Sequence, residues 1–384
     1  MKSNYESISF EILRYWAKRD FKGWDPYDML NSKLIKAFSL NKFSFLMWIF
    51  IQLGKKLPFN LRRLLFVPKT HNAKGIALFI SGICNYWNLS KENRFELKNY
   101  LDRLILILSK LKHPTKNAWG YDFLWVARGG LRFPAGAPNV VVSYYVYSAL
   151  EKLSSLEDYS PPINIDKWLF PKDLIHLLRK TFYHEGLLFS YSAYKGNEGV
   201  FNASLFASFI FAKSKLKLNE SEKKYVLQSI EAVEENINED GSIVYGKKKF
   251  QNWIDNHHTL YIIEAALRIN KETDFSFNKN KLKKAIKYYK HHFLENEGFP
   301  LFLNKKYVMD FHCLGQLLRM SEFDIYEFSE IDKVLRIWIN YFKKSKFPYR
   351  IYRLGTNRIN YVRWTQAFMF YGLSYYDRYA KQKS

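Results

Sequence analysis

Cysteine is nearly absent: the chain has only Cys84 and Cys313, far apart in sequence. Two separated thiols exclude a disulfide framework and point to a reducing compartment. They also remove the tight Cys/His pairs of a structural zinc site. Acidic residues are scarce too. Asp and Glu number 36 against 60 Lys and Arg, a formal net charge of +24. No apolar run approaches the roughly 20 residues that a spanning helix needs. The opening stretch, MKSNYESISFEILRYWAKRD, is too polar for a secretory signal. Strand alternation is weak throughout. No RNP-like, finger or basic-zipper pattern occurs, so nucleic acid is not an expected partner despite the charge. These absences predict a cytoplasmic, helical protein without metal or cofactor. Peripheral contact with the inner membrane is the alternative location.

What is present is aromatic and apolar. Phe, Trp and Tyr make up 18% of the chain, and 48% is hydrophobic. That is ample for a large core and too apolar for disorder. The excess of cations favours an anionic partner, such as an acidic glycan, a phosphate or an anionic lipid. A Lys-rich solvated surface explains the same count. One segment leans toward a membrane: FSFLMWIFIQL (43–53) precedes Lys55, Lys56, Arg62 and Arg63. Such a helix can lie in an anionic interface. A packed helix closing the N-terminal end is the reading carried forward, because the apolar run is short.

Helical periodicity recurs down the chain between Gly, Pro and Asn turns. Apolar segments at 75–87, 139–150, 201–212, 255–267, 310–318 and 363–376 alternate with amphipathic ones at 92–111, 173–182, 220–237, 280–293 and 330–344. The apolar starts recur on the order of every 55–60 residues, a period typical of a helical array. An inner helix of such an array touches neighbours on both sides and is apolar nearly all round. An outer helix needs one apolar stripe. The pattern predicts an all-α toroid of about six helix pairs, (α/α)6. Residues 1–70 read as a helical extension packed on a toroid domain of residues 71–384.

Polar residues recur where the inner helices begin. The stretch WIDNHHTLY (253–261) gathers Asp255, Asn256, His257, His258 and Thr259. Aligned on the repeat, Ile254–Asp255–Asn256–His257 lies over Met309–Asp310–Phe311–His312. Asn139, Asn202, Arg363 and Gln366 hold similar places in other pairs. In a toroid those N-termini converge on one mouth of a central cavity, each with free N–H groups and a partial positive charge. Asp255 and Asp310 read equally as N-caps. A cap does not account for a His two residues later, twice, so cavity lining is carried forward.

The order of motifs resembles a family of bacterial surface-polysaccharide and lipopolysaccharide biosynthesis proteins with a prenyltransferase/squalene-cyclase-like toroid. The matching segments are GWDPYDMLNS (23–32), NLRRLLFVPKTHNAKGIALF (60–79), WGYDFLW (119–125), PNVVVSYYVYSAL (138–150), FSYS (189–192), VFNASL (200–205), EDGSIVYG (239–246) and RWTQAF (363–368). The resemblance implies the toroid and a glycan-assembly setting. WIDNHHTLY also resembles the Trp-Asp-x-His-x-Thr segment of glucuronyl 5-epimerases, which implies a uronic acid substrate.

Three chemistries fit these residues. As a glycoside hydrolase pair, Asp255 and Asp310 would be acid and base or nucleophile. In uronate epimerisation or elimination, His257, His312 or Tyr191 would remove the proton beside the carboxylate. Arg128, Arg363 and the helix N-termini would neutralise that carboxylate. As metal ligands, Asp255, His257, His258, Asp310 and His312 offer the right atoms. Adjacent histidines, however, point about 100° apart around a helix, so at most one of His257 and His258 shares a face with His312. Terpene cyclisation lacks its Asp-x-Asp-Asp cluster. Candidate catalytic residues are therefore Asp255, Asp310, His257 and His312. Candidate sugar-binding residues are Trp119, Tyr121, Arg128, Asn139 and Tyr191, with Asn202, His258, Gln316, Arg363 and Gln366. Flat rings stack on pyranose faces while the polar groups take hydroxyls; Trp125, Tyr144, Trp253 and Trp364 lie near the same mouth. The partner expected is an acidic or lipid-linked glycan, modified or cleaved in the cavity. The rival is a non-catalytic glycan-binding component at the membrane.

Overall fold

The computed structural model describes residues 5–39, 43–126, 132–214, 217–296, 298–303 and 305–383. Arg128 lies outside them. The chain opens with α1 (Tyr5–Ala17), α2 (Lys33–Ala37), α3 (Ser44–Lys56) and α4 (Leu61–Leu64). Next come α5 (Ala73–Leu89), α6 (Arg94–Leu111) and the hairpin of β1 (Trp125–Val126) with β2 (Arg132–Phe133). They are followed by α7 (Val140–Ser154), α8 (Lys172–Leu177) and the hairpin of β3 (Lys180–Tyr183) with β4 (Gly186–Phe189). After these are α9 (Phe201–Lys213), α10 (Glu220–Glu234), α11 (Asn256–Glu272) and α12 (Lys279–Tyr289). The last elements are β5 (Met309–Asp310), α13 (Phe311–Arg319), α14 (Phe328–Ile339), β6 (Arg350–Tyr352), β7 (Gly355–Asn357) and α15 (Ala367–Lys383).

The odd-numbered helices from α5 to α15 form the inner ring. Each packs on the next, and α15 returns to α5. α6, α10, α12 and α14 lie against α5, α9, α11 and α13, and α1 lies against α15. This is the α/α toroid. Burial follows the two roles. In α9 every residue from Phe201 to Phe211 is buried, whereas α6 buries one stripe of Leu97, Leu101, Leu104, Ile105 and Leu108. The inner wall is closest between α13 and α15, where Gly315 and Gly372 face each other; a Cβ on Gly372 would sit 2.3 Å from the Gly315 carbonyl oxygen. Outer elements run shorter than the amphipathic pattern predicts. α8 stops at Leu177, and Lys180–Tyr183 turns into β3, paired with β4. α14 stops at Ile339 rather than residue 344.

The rim at the inner N-termini is a closed circuit. The first N–H of α7 donates to the Tyr191 carbonyl, that of α9 to Tyr245, that of α11 to Leu301 and that of α13 to Tyr349. Val362, which opens the π-turn leading into α15, donates to Trp24. Gly23 pairs with Thr70, and Thr70 and Asn72 at the start of α5 both bond the Asp122 side chain. Each helix start is thus tied to the segment just ahead of the next. Asx caps add to this. Asn72, Asn139, Asp255 and Asp310 accept from Gly75, Val142, His258 and His312 backbone N–H groups. Several of the N–H groups expected to face a ligand are therefore already satisfied.

The N-terminal segment is pinned to this rim by Arg62, which is fully buried. It donates to Asp28 at 2.6 Å, to the Gly54 and Asp25 carbonyls, and to the Tyr361 hydroxyl. Arg62 is therefore not part of the basic surface that the alternative, interfacial reading of this segment gave it. α3 also departs from expectation. It buries Met47 and Ile51 against Leu30, Ile35 and Val126, but leaves Phe45 and Trp48 exposed. It is a helix apolar all round that is packed on one side only.

Candidate functional site

A cavity of about 280 Å³ opens at the rim end of the ring. Tyr121, Trp125, Tyr191, Tyr245, Trp253 and Trp364 supply aromatic wall, and Asp255, His257, His258 and Tyr261 line it from α11. Lys74, Arg350 and Arg363 line it from α5, β6 and the start of the last inner helix. The set gives flat stacking surfaces beside cations and proton carriers.

Asp255 is a cap and more than a cap. One oxygen accepts the His258 backbone N–H; the other accepts the Trp253 indole at 2.9 Å and the His258 ring at 2.7 Å. Burial opposes its charge, but the two histidines and these donors hold its pKa below the ordinary carboxylate range. Its carboxyl is held ionised, unlike the raised-pKa acid of a hydrolase pair. His257 Nδ1 lies 3.4 Å from Asp255 yet makes no hydrogen bond. Burial, then the neighbouring His258, Arg350 and Lys74, drive His257 to the neutral ring, against the pull of Asp255. A neutral, cavity-lining imidazole beside a fixed carboxylate can accept a proton.

A second hydrogen-bonded chain runs beside this group, with the His312 ring 5.2 Å from that of His257. His312 Nδ1 is 3.1 Å from the Trp364 carbonyl, which fixes Nδ1 as the donor and leaves Nε2 to accept from the Tyr261 hydroxyl. Burial and the charges around it keep His312 neutral. Lys74 donates to the same Tyr261 oxygen at 3.2 Å. Its ammonium lies over the rings of Tyr145, Phe368 and Tyr261, while burial and Arg363 push its pKa well down. Lys74, Tyr261 and His312 form one chain, of which Lys74 and Tyr261 reach the cavity.

The other sequence candidates divide. Tyr121, Tyr191, Asn202 and His258 line the cavity, and the Asn202 Oδ1 has no partner. Arg363 lines it too, but its fork is held by Asp25 at 2.6 and 2.8 Å, which limits the expected grip on a ligand. Arg350 is buried and lines the cavity. Asp310 does not line it. Its carboxylate is fully buried, binding Arg350 at 2.6 Å, the Trp364 indole and the His312 N–H. Asp255 and Asp310 therefore do not face each other across the cavity. Trp119 is core, donating to the Leu108 carbonyl. Asn139 is the α7 cap, Gln316 bonds Glu264 deep in the ring, and Gln366 grips both backbone groups of Phe347. Tyr144 stacks on Phe206 in the core.

The His257 and His258 rings approach to 4.0 Å, and His257 also lies 5.2 Å from His312. Asp255, His257 and His258 offer donor atoms within 4.8 Å of one another, so the triad has the spacing of a cation site. The Asp255 carboxylate and the His258 ring are already joined by a hydrogen bond, whereas His257 Nδ1 has no hydrogen-bond partner. Lys74, Asp25, Tyr261 and Arg350 were not assigned to the site by sequence reasoning. Two of them carried a signal: Tyr261 stands four residues after His257 on the same helical face, and Arg350 opens the arginine-rich run that ends at Arg363.

No family model and no curated protein matches the sequence. Solved structures do match its shape. Cellobiose 2-epimerase from Bacillus thermoamylovorans B4167 aligns with TM-score 0.55 and 12% identity, over 80% of this chain and 88% of that one. A sugar epimerase from a ruminal bacterium gives 0.56 and 9%, over 81% and 88%. A D-mannose isomerase gives 0.52 and 12%, over 82% and 88%. At such identities these likenesses establish the toroid, from which the chemistry has to be argued separately.

Proposed function

We propose that this protein is a sugar-processing enzyme that moves a proton at a carbon beside a carbonyl or carboxylate, as an epimerase or isomerase of an acidic sugar. The observation that carries the reading is neutral His257 in the cavity wall beside ionised Asp255. His257 takes the proton, and Asp255 stabilises the imidazolium that forms. Arg350 faces the charge that develops on the substrate oxygen. Tyr261 gives its hydroxyl proton, held toward His312 Nε2 in the resting site, to the substrate carbon; the phenolate left and the proton kept on His257 are reset by exchange with solvent at the open mouth. Return to the same carbon from the other side inverts it; return to the neighbouring carbon isomerises the sugar. The structural neighbours named as sugar epimerases and an isomerase lend support through the shared toroid. A two-carboxylate hydrolase is disfavoured because Asp310 is walled off by Arg350 and Trp364. The surface-polysaccharide setting is retained from the motif resemblance.

The test is proton exchange in D2O. A panel of uronic acids, their oligosaccharides and neutral aldoses is incubated with the protein and read by NMR. The expected result is deuterium at one sugar carbon with acidic substrates, abolished in His257→Gln at unchanged melting temperature. No exchange on any member, or wild-type exchange by the variant, overturns the reading.

A further inference from the structure

We propose that the segment from α2 to α4 is a peripheral docking surface for an anionic lipid bilayer, set beside the cavity mouth. Eight of the eighteen exposed large apolar side chains among the described residues fall between Phe38 and Phe66. The most exposed are Phe38 at 73%, Phe45 at 71% and Leu64 at 69%. Trp48 and Phe66 join them. Scattered exposed apolar residues are ordinary, but a concentration of them marks a binding surface.

The described helices α2, α3 and α4 are tied to one another. α2 and α3 share the small core of Ile35, Met47 and Ile51. The Ser32 hydroxyl donates to the Leu65 carbonyl, and Arg62 ties α4 to the end of α3 through Gly54. The exposed face of α3 thus stays apolar although its inner face is already satisfied. Something other than this chain's own core covers it.

Charge selects the partner. From Lys33 to Lys69 the sequence contains eight Lys and Arg and no Asp or Glu, Arg62 among them being buried. Lys33, Lys36, Lys56, Arg63 and Lys69 are exposed around the aromatic side chains. Aromatic rings with a basic surround match the boundary between acyl chains and anionic headgroups. No helix among the described residues is long and apolar enough to cross a membrane, so the contact is interfacial. The patch borders the site: Lys55 in the last turn of α3 lines the cavity, and β1, which carries Trp125, packs on α3.

The experiment is co-sedimentation of the full chain with vesicles of phosphatidylcholine alone and of phosphatidylcholine mixed with an equal amount of phosphatidylglycerol. It needs no substrate, so its failure is distinct from failure of the proposed reaction. Binding is expected to the anionic vesicles, weakening with salt. Lys33→Gln with Lys36→Gln is expected to weaken it roughly thirtyfold, from about a tenfold factor per 1.4 kcal/mol. Phe45→Ser with Trp48→Ser is expected to abolish it at unchanged melting temperature. Equal binding of wild type and both variants, or none by wild type, overturns the proposal. So does a wild-type dimer in sedimentation that the aromatic variant splits while vesicles are ignored, since a second copy would then cover the patch.

Discussion

Arg350 reaches the cavity because Asp310 holds it there, Nε to Oδ2 at 2.6 Å, from a position the cavity does not touch. The same carboxylate caps α13 and receives the Trp364 indole. Asp310→Asn keeps a cap acceptor and leaves a buried guanidinium without its counter-charge. A loss of about 3–5 kcal/mol is expected. Denaturant unfolding checks it; a near-neutral effect would return Asp310 to the role of a simple cap.

Asp255→Asn should behave differently. Asn caps about as well, and the remaining loss is the oxygen that accepts from both the Trp253 indole and the His258 ring, two hydrogen bonds costing about 2 kcal/mol together. Turnover in the D2O assay should fall by roughly 10²–10⁴, because the imidazolium at His257 loses its carboxylate. Stability and exchange measured on the same preparation separate the two effects.

Asp122 predicts a pH dependence. Burial pushes its carboxyl up to about 6, and Asp25 adds to this against the donors Thr70 and Asn72. The folded state then holds the proton more tightly than the unfolded chain, whose Asp titrates near about 4. This contribution is fully present below that value and is lost as pH rises through about 6. Between about pH 4 and 7 wild-type stability should decline more steeply than that of Asp122→Asn, as measured by denaturant midpoints.

Gly372→Ala tests the closest contact of the inner wall. The added Cβ meets the Gly315 carbonyl oxygen at 2.3 Å, a backbone atom that cannot rotate away. The expected cost is about 1–3 kcal/mol. Thermal unfolding reads it, and a neutral outcome would mean that α13 and α15 can part without loss.

The alternation of apolar and amphipathic segments made the ring legible, since inner helices such as α9 are apolar on every side while α6 carries one stripe. The recurring polar starts were legible as well, because a cap has a fixed place on a helix. Which of them reaches solvent was not. Asp255 and Asp310 occupy equivalent positions, yet only Asp255 meets the cavity, because Arg350 and Trp364 arrive from other repeats to cover Asp310. Lys74 was hidden for the opposite reason: a single cation at the head of the apolar run AKGIALF looks like a helix end, and its aromatic surroundings come from three distant helices. Gln316 and Gln366 looked like ligand binders because polar groups in a ring interior are rare, but both are consumed by their neighbours.

The circuit of bonds at the rim acts as a hoop around staves. It has no first or last member, so no helix start can fray without straining the crossings on both sides. The segment beginning at Asn256, for example, is gripped by the Leu301 carbonyl. It follows that the mouth should not breathe one helix at a time. The N–H groups of Val140, Phe201, Asn256 and Val362 are expected to exchange with deuterium together, only as fast as the whole ring opens. Staggered exchange among these four amides would show a hoop already cut.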